Sequence, residues 1–272
     1  MDAIQAIVLG IVQGLTEFLP ISSTAHLRIV PAFLGWDDPG AAFTAVTQLG
    51  TMAAVLLFFR NDLWNIARGW LRSLRDPALR GTHEARMGWY IIVGTIPISV
   101  LGLLFKDKIE TDARQLTLIG ITLIVLGLLL GYADRVGPKR RDVDSLTMKD
   151  GVTIGFAQAA ALVPGVSRSG ATMTAGLFLG LTREAAARYS FLLSVPAVVL
   201  SGLFELRHVG DKGGTAGAGA TAIATLLAFI VGYASIAWLL RYVVRHPLTI
   251  FVVYRVGLGA LVLILVATNT IH

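Results

Sequence analysis

Apolar residues run along this chain in stretches long enough to cross a bilayer, separated by short polar connections. A spanning helix needs about 20 mostly apolar residues. Ala41–Phe59, Trp89–Phe105, Leu116–Tyr132 and Ala218–Leu240 meet that length almost without interruption. Ala185–Phe204 and Leu248–Ala267 meet it with one internal cation each, Arg188 and Arg255. Two further apolar stretches are broken. Ile4–Leu34 is interrupted at Pro20-Ile21-Ser22-Ser23-Thr24, and Gly151–Leu181 at Pro164-Gly165-Val166-Ser167-Arg168-Ser169-Gly170. Each half is too short to span, and non-helical backbone at membrane depth is tolerated only where protein or a water-filled cavity surrounds it. The pattern predicts an all-α polytopic membrane protein: six spanning helices plus two re-entrant helix–break–helix segments. Gln13 and Glu17 interrupt the first stretch and Asp2 replaces a basic start, so a cleavable signal is not expected there.

Charge placement orients this arrangement. The connection from Arg60 to Arg86 carries Arg60, Arg68, Arg72, Arg75, Arg80 and Arg86; that from Arg135 to Lys149 carries Arg135, Lys139, Arg140, Arg141 and Lys149; a short third carries Arg241 and Arg245. The positive-inside rule places all three in the cytoplasm. The connections Lys106–Arg114 and Arg207–Gly217 then lie outside, and the two broken segments enter from opposite faces. They also resemble each other. At a shift of 145, Gly10 meets Gly155, Gln13 meets Gln158, Ser22 meets Ser167, and Phe33-Leu34-Gly35 meets Phe178-Leu179-Gly180. A second set, Tyr90 with Tyr189 and Pro97 with Pro196, matches at a shift of 99. The expectation is one membrane domain over 1–272, an inverted-topology repeat with halves near 1–134 and 150–272 and a cytoplasmic loop 135–149. Such repeats place a binding site near the midplane, where half-helix N-termini face an anion.

Composition agrees. Hydrophobic residues make up 55% of the 272 and charged residues 15%, well under the roughly 25% of a soluble domain. The absence of Cys excludes disulfides, thiolate catalysis and thiolate metal sites. The net charge of +6 is accounted for by the orienting loops, so no nucleic-acid partner is expected.

The breaks carry the candidate chemistry. Ser22 or Ser23 is a good N-cap for the half-helix after Pro20. Gly165, Ser167, Ser169 and Gly170 open the other, where glycine lets a ligand approach the backbone. Each start offers free N–H groups and a positive dipole end, and Arg168 adds a planar fork suited to phosphate oxygens. Glu17 is an intramembrane carboxylate, which is costly and marks a functional group by default. Gln13 lies four residues earlier on the same helix face. Ser23 and His26 share a face of the following half-helix at a spacing that suits a nucleophile and a base. Arg255 lies too deep to snorkel and either pairs with a carboxylate or faces the pocket.

Gln13-Gly14-Leu15-Thr16-Glu17-Phe18-Leu19-Pro20-Ile21-Ser22-Ser23-Thr24-Ala25-His26 resembles the first signature of the bacterial undecaprenyl-pyrophosphate phosphatases, the bacitracin-resistance membrane proteins. Pro164-Gly165-Val166-Ser167-Arg168-Ser169-Gly170-Ala171-Thr172 resembles their second. The family's motif begins with Glu or Gln. Gln13 stands there, so one carboxylate, Glu17, faces the site rather than two. Ala25 replaces a common Gly.

The resemblance implies hydrolysis of undecaprenyl pyrophosphate to the monophosphate. That reaction recycles the lipid carrier of cell-wall synthesis and gives bacitracin resistance. It further implies a bacterial inner membrane location, an active site open to the outer face, a divalent metal (Mg2+ or Ca2+), and Gln13, Glu17, Ser23, His26 and Arg168 as functional positions. On this reading Ser23, His26 and Glu17 are catalytic, with His26 taking or relaying the Ser23 proton and Glu17 binding the metal or orienting His26. Arg168, Ser22, Thr24, Gly165, Ser167, Ser169 and Gly170 hold the pyrophosphate, and Glu17 with Gln13 holds the metal. Membrane lipids, the polyprenyl pyrophosphate and a second copy of the chain are the expected partners. The rival from another class is a secondary transporter or lipid flippase, and lipid flipping coupled to the hydrolysis would join the two; a transporter has no need of the Ser23/His26/Arg168 set. A PAP2-type phosphatase would need Lys and Arg upstream of a Pro-Ser-Gly-His run, which this chain lacks.

Overall fold

The computed structural model describes residues 1–38, 40–105, 115–206 and 218–271. Eleven α-helices lie among them: α1 (Ala3–Phe18), α2 (Ser23–Leu34), α3 (Gly40–Phe58), α4 (Arg60–Arg75), α5 (His83–Leu104), α6 (Leu116–Val136), α7 (Met148–Ala159), α8 (Arg168–Phe178), α9 (Arg183–Leu206), α10 (Ala218–Arg245) and α11 (Thr249–Ala267). Among the described residues no strand occurs, only an isolated bridge between Arg141 and Leu181. Four of these helices are long and apolar enough to cross a membrane, α5, α6, α10 and α11, and α3 with α4 forms a bent fifth candidate. The expected outer connections Lys106–Arg114 and Arg207–Gly217 lie outside the described residues, as do His208 and His272.

The first apolar break falls where the sequence puts it; the second begins ahead of Pro164, α7 ending at Ala159, and closes at Arg168. α1 stops at Phe18 because Leu19 turns extended ahead of Pro20. Ser22 then caps α2 at a positive φ of 75°, its hydroxyl accepting from Ala25 N at 3.4 Å. In the second segment α7 runs into a short 3-10 turn over Ala160–Leu162. Ser167 caps α8 at φ 70°, accepting from Gly170 N at 3.1 Å. The two caps are 145 residues apart and share one unusual backbone conformation. Each also bonds the hydroxyl two residues on, Ser22 to Thr24 and Ser167 to Ser169, both at 3.2 Å. Gly35 and Gly180, again 145 apart, end the two segments at φ 66° and 87°.

Packing assembles the core from small-residue contacts, as membrane helices require. α10 is gripped by α1 and α3: a Cβ at Gly10 would lie 2.5 Å from the Ala224 carbonyl, and one at Gly50 2.1 Å from that of Thr225. α7 packs on α5 and α6 on α11, while α9 joins α3, α5 and α8. Large apolar side chains such as Leu103, Leu128, Leu226, Val253 and Ile264 point outward, as lipid-facing positions do.

Two features differ from the sequence expectation. The basic stretch after α3 is a helix and not a loop, because its apolar residues recur with a 3.6-residue period within a polar composition. The 135–149 connection is pinned to the second broken segment. Arg140 N and Arg141 N both donate to the Gly180 carbonyl at 3.0 Å, and Thr182 N to that of Arg141 at 2.8 Å. The Arg141 guanidinium grips Asp150 with bonds of 3.2 and 2.6 Å. Burial pushes the Asp150 carboxyl up, but the bonds from Arg141 and from Thr147 outweigh it and leave it below the usual range. The same carboxylate holds the Arg141 guanidinium above its own.

Candidate active site

Glu17 lies in the last turn of α1, with its side chain 7% exposed. Four donors converge on it. Arg168, the first residue of α8, pairs with Oε1. Gln48 Nε2, from α3, donates to Oε1 at 3.3 Å. Ser23, the first residue of α2, donates its hydroxyl to Oε2 at 2.6 Å, and Gln13 Nε2 reaches the same oxygen at 3.0 Å. The carboxylate thus joins the first residues of both half-helices. Both caps leave first-turn N–H groups without intrahelical acceptors, and both positive dipole ends meet here.

Arg255 organises the tips. It is fully buried, and among the described residues it has no carboxylate partner. Its guanidinium donates instead to Pro20 O at 3.1 Å in the first break and to Gly165 O and Val166 O at 3.0 and 3.1 Å in the second. Longer bonds reach Leu123 O and Thr122 O in α6 at 3.3 and 3.4 Å. Ser169 adds a direct tie between the breaks, Oγ donating to Leu19 O at 3.0 Å. Gly165 sits at φ 89°, and a Cβ there would come 2.0 Å from Thr122 Oγ1, which itself donates to Pro164 O at 2.8 Å.

His26, one turn further along α2, is buried. Its Nδ1 bonds the Ser22 carbonyl at 2.7 Å. A carbonyl only accepts, so Nδ1 carries the hydrogen, and in the neutral ring Nε2 accepts from Tyr254 Oη at 2.6 Å. The two rings are nearly parallel, 6° apart, with centroids 5.6 Å from each other. Ser23 and His26 therefore do not bond each other as their spacing suggested. The Ser22 kink turns Ser23 toward α1, while the His26 ring folds back onto the turn before it.

The expected site residues divide by use. Glu17, Ser23, Arg168 and Gln13 come together directly. Ser22 and Ser167 spend their hydroxyls as caps, Thr24 bonds Ser22, Ser169 ties the breaks, and the Gly165 carbonyl serves Arg255. A Cβ at Gly170 would meet Arg255 Nη1 at 2.7 Å, so the glycine makes room for the buried guanidinium. Gln48 and Tyr254 escaped the sequence reading. Gln48 could have been found as a lone amide in an apolar span; nothing in the pattern marks Tyr254.

Among the described residues no group of three or more His, Asp or Glu side chains is placed to hold a metal. Gln13 Oε1, however, is buried without a donor beside Glu17. One carboxylate and one amide oxygen are hard donors, and magnesium is commonly held by one or two carboxylates together with substrate phosphate oxygens. The residues fit a cation of that kind, shared with a phosphate ligand.

The fold and this site define a helical multi-pass membrane protein whose two helix breaks meet around one carboxylate and one arginine. The chain belongs to the family described as bacitracin resistance protein BacA, which it matches over residues 6–261. It is 58% identical to the undecaprenyl-diphosphatase of Nocardioides sp. (strain ATCC BAA-499 / JS614), covering 100% of this chain and 99% of that one. It is 55% identical to that of Thermobifida fusca (strain YX), over 98% and 91%, and 53% identical to that of Streptomyces griseus subsp. griseus, over 98% and 95%.

Proposed function

We propose that this protein hydrolyses undecaprenyl pyrophosphate to undecaprenyl phosphate and inorganic phosphate at the Glu17–Arg168 junction, and so recycles the cell-wall lipid carrier and confers bacitracin resistance. The observation that carries the reading is the meeting of Ser23 and Arg168, first residues of two separate half-helices, on the two oxygens of Glu17. The names of the full-length relatives point to the same substrate. Phosphoryl transfer needs positioning and charge neutralisation above all. Arg168 and the two helix starts supply both.

In the proposed sequence the pyrophosphate draws the guanidinium from Glu17. Ser23 Oγ attacks the terminal phosphorus and passes its proton to Glu17 Oε2. The bond to the bridging oxygen breaks, and the lipid monophosphate leaves with the electron pair. Water then attacks the phosphoserine; as the bond to Ser23 Oγ breaks, Glu17 returns its proton to that oxygen, and phosphate leaves carrying the proton of the water. His26, three residues after Ser23 and fixed by Ser22 and Tyr254, would when protonated at Nε2 give that proton to the leaving oxygen. A Mg2+ or Ca2+ ion held by Glu17 and Gln13 would supply further charge neutralisation to the phosphate oxygens.

The same proposal includes six spans and two re-entrant segments in an inverted repeat, open to the outer face of the inner membrane. Support comes from the paired Ser22/Ser167 and Gly35/Gly180 conformations. Exchange of the halves also maps the α1–α10 contact onto α7–α5. In that relation α5 corresponds to α10, so the 99-residue match of Tyr90 with Tyr189 is not a repeat equivalence. Those two residues are direct neighbours, Tyr189 Oη donating to Tyr90 O at 3.2 Å.

The test is phosphate release from undecaprenyl pyrophosphate by purified protein in detergent, wild type against Arg168→Ala, with and without chelator. Release by wild type and its loss in the variant are expected. No release, or equal release by both, refutes the assignment. Lipid flipping by the same chain and a homodimer are further parts of the proposal, read by product transfer across vesicle bilayers and by mass in detergent.

A further inference from the structure

The helix α4 has a surface that the hydrolytic site does not use. α3 ends at Phe58, and α4 starts at Arg60 after a bend of 75°. With α3 crossing the bilayer, a helix turned through that angle runs near the membrane plane, on the side where the basic connections lie. The rotation of α4 about its own axis is fixed by packing. Leu63 and Ile66 pack on the main core, and Ser73 is buried. Trp70 meets Trp89 edge-on at 5.6 Å. Gly69 allows the start of α5 so close that a Cβ there would lie 2.5 Å from the Glu84 Cβ. Asp62 pairs with Arg188 of α9 at 3.1 Å.

That packing leaves a second apolar stripe facing away from the protein: Trp64, Ala67, Leu71 and Leu74, spaced three, four and three residues apart. Trp64 is 66% exposed, Leu71 55% and Leu74 48%. Arg68, Arg72 and Arg75 each sit one position after a stripe residue, so a basic row runs alongside. None of the three forms an ion pair with the described residues. The one acid on the helix, Asp62, is already taken by Arg188.

We propose that α4 docks on the cytoplasmic leaflet, with Trp64, Leu71 and Leu74 in the acyl–headgroup boundary and Arg68, Arg72 and Arg75 on anionic phospholipid headgroups. Three observations select this occupant. The stripe continues directly from a membrane exit. A second protein surface would have to supply acids to three arginines at the edge of an apolar seam, whereas a leaflet offers phosphates at that height. Finally, a basic helix with Trp and Leu on its apolar face is the composition that lies in a bilayer interface. Each arginine near an anionic surface strengthens association by roughly fivefold. The inference goes beyond the phosphatase reading and rests only on membrane insertion.

The chain has no Cys, so single spin labels can be placed without background. Leu71→Cys, Asn65→Cys and Leu128→Cys would be labelled in nanodiscs and read by collision with oxygen and with a water-soluble nickel chelate. Leu128, exposed on α6, reports whether the protein is inserted at all. Leu71 should favour oxygen and Asn65 the nickel chelate. Replacing one third of the phosphatidylcholine by phosphatidylglycerol should drive the Leu71 label deeper. Combining Leu71→Cys with Arg68→Gln, Arg72→Gln and Arg75→Gln should abolish that response and leave phosphate release unchanged. High salt on the variant with native arginines should do the same, which keeps the test open if the combined variant fails to fold. A nickel-accessible Leu71 beside a lipid-buried Leu128 overturns the proposal, as does a depth indifferent to phosphatidylglycerol. A water-exposed Leu128 would instead overturn the membrane reading itself.

Discussion

Glu17→Gln is the most informative single change at this site. The amide keeps the shape of the carboxylate and loses its charge and its basicity. Oε1 can still accept from Arg168 and Gln48, as Glu17 Oε1 does. The new amide nitrogen falls where Oε2 accepts from Ser23 and Gln13. A flip of Gln13 turns its unpartnered Oε1 toward that nitrogen, and Ser23 Oγ can accept from it. The flip moves the missing partner from Gln13 Oε1 to Gln13 Nε2, and Ser23 loses its acceptor, so the structural cost is chiefly the lost charge on a mostly buried ion pair. Full loss of one partner of a buried pair costs about 3–5 kcal/mol. With Arg168 17% exposed and its neutral bond retained, about 2–3 kcal/mol is the expected loss of stability. Catalysis should suffer more. A general base contributes roughly 10²–10⁴-fold, and after the substitution Ser23 has no acceptor for its proton. Phosphate release should therefore fall by about a thousandfold in kcat, with KM little changed because Arg168 remains. Initial rates against lipid concentration give both parameters, and a thermal melt in the same detergent gives the stability. A variant that melts as expected yet turns over within tenfold of wild type would refute Glu17 as the proton acceptor and assign it to holding Arg168 alone.

Gly165→Ala should lower stability by about 2–4 kcal/mol, since its Cβ would sit 2.0 Å from Thr122 Oγ1 at a φ of 89°; a melting temperature equal to wild type would refute the tight tip. Tyr254→Phe removes the one donor that the described residues offer His26 Nε2 and should cut kcat about tenfold with a changed pH profile, whereas an unchanged profile would make Tyr254 a packing residue. Asp150→Asn should lower stability at neutral pH by about 1–3 kcal/mol through the lost grip on Arg141, read as a lower melting temperature. The Asp150 carboxyl lies below its ordinary value. Its stabilisation is therefore complete above about pH 5, and it drains away as pH falls below about 4 toward the lower folded value. The gap between wild type and Asp150→Asn should close over that acid range, and a gap that widens there would reverse the assignment.

Apolar run length and the two proline–serine breaks were enough to place both interruptions around the site, though α7 ends at Ala159, ahead of Pro164, and α8 starts at Arg168, inside the expected break; a membrane helix is set by local composition and a break by local backbone chemistry. The same holds for the Ser22/Ser167 equivalence, which rests on one capping preference used twice. Helix α4 was legible in principle. Its apolar residues have helical spacing, but six arginines in a connection read first as a topology signal.

Partnership was another matter. Spacing put Ser23 and His26 on one face, yet the hydroxyl bonds Glu17 while the ring bonds the Ser22 carbonyl and Tyr254, the last more than two hundred positions along the chain. Arg255 announced itself only as a charge in an apolar run. That it bonds carbonyls in both breaks, and no carboxylate, depends on where α11 lies against α6 and on Gly170 having no side chain. Local sequence thus determined which segments are helical and where they fail. The tertiary structure decided which failed ends meet, since a hydrogen bond between distant residues is set by how whole helices pack and leaves no periodic trace in the chain.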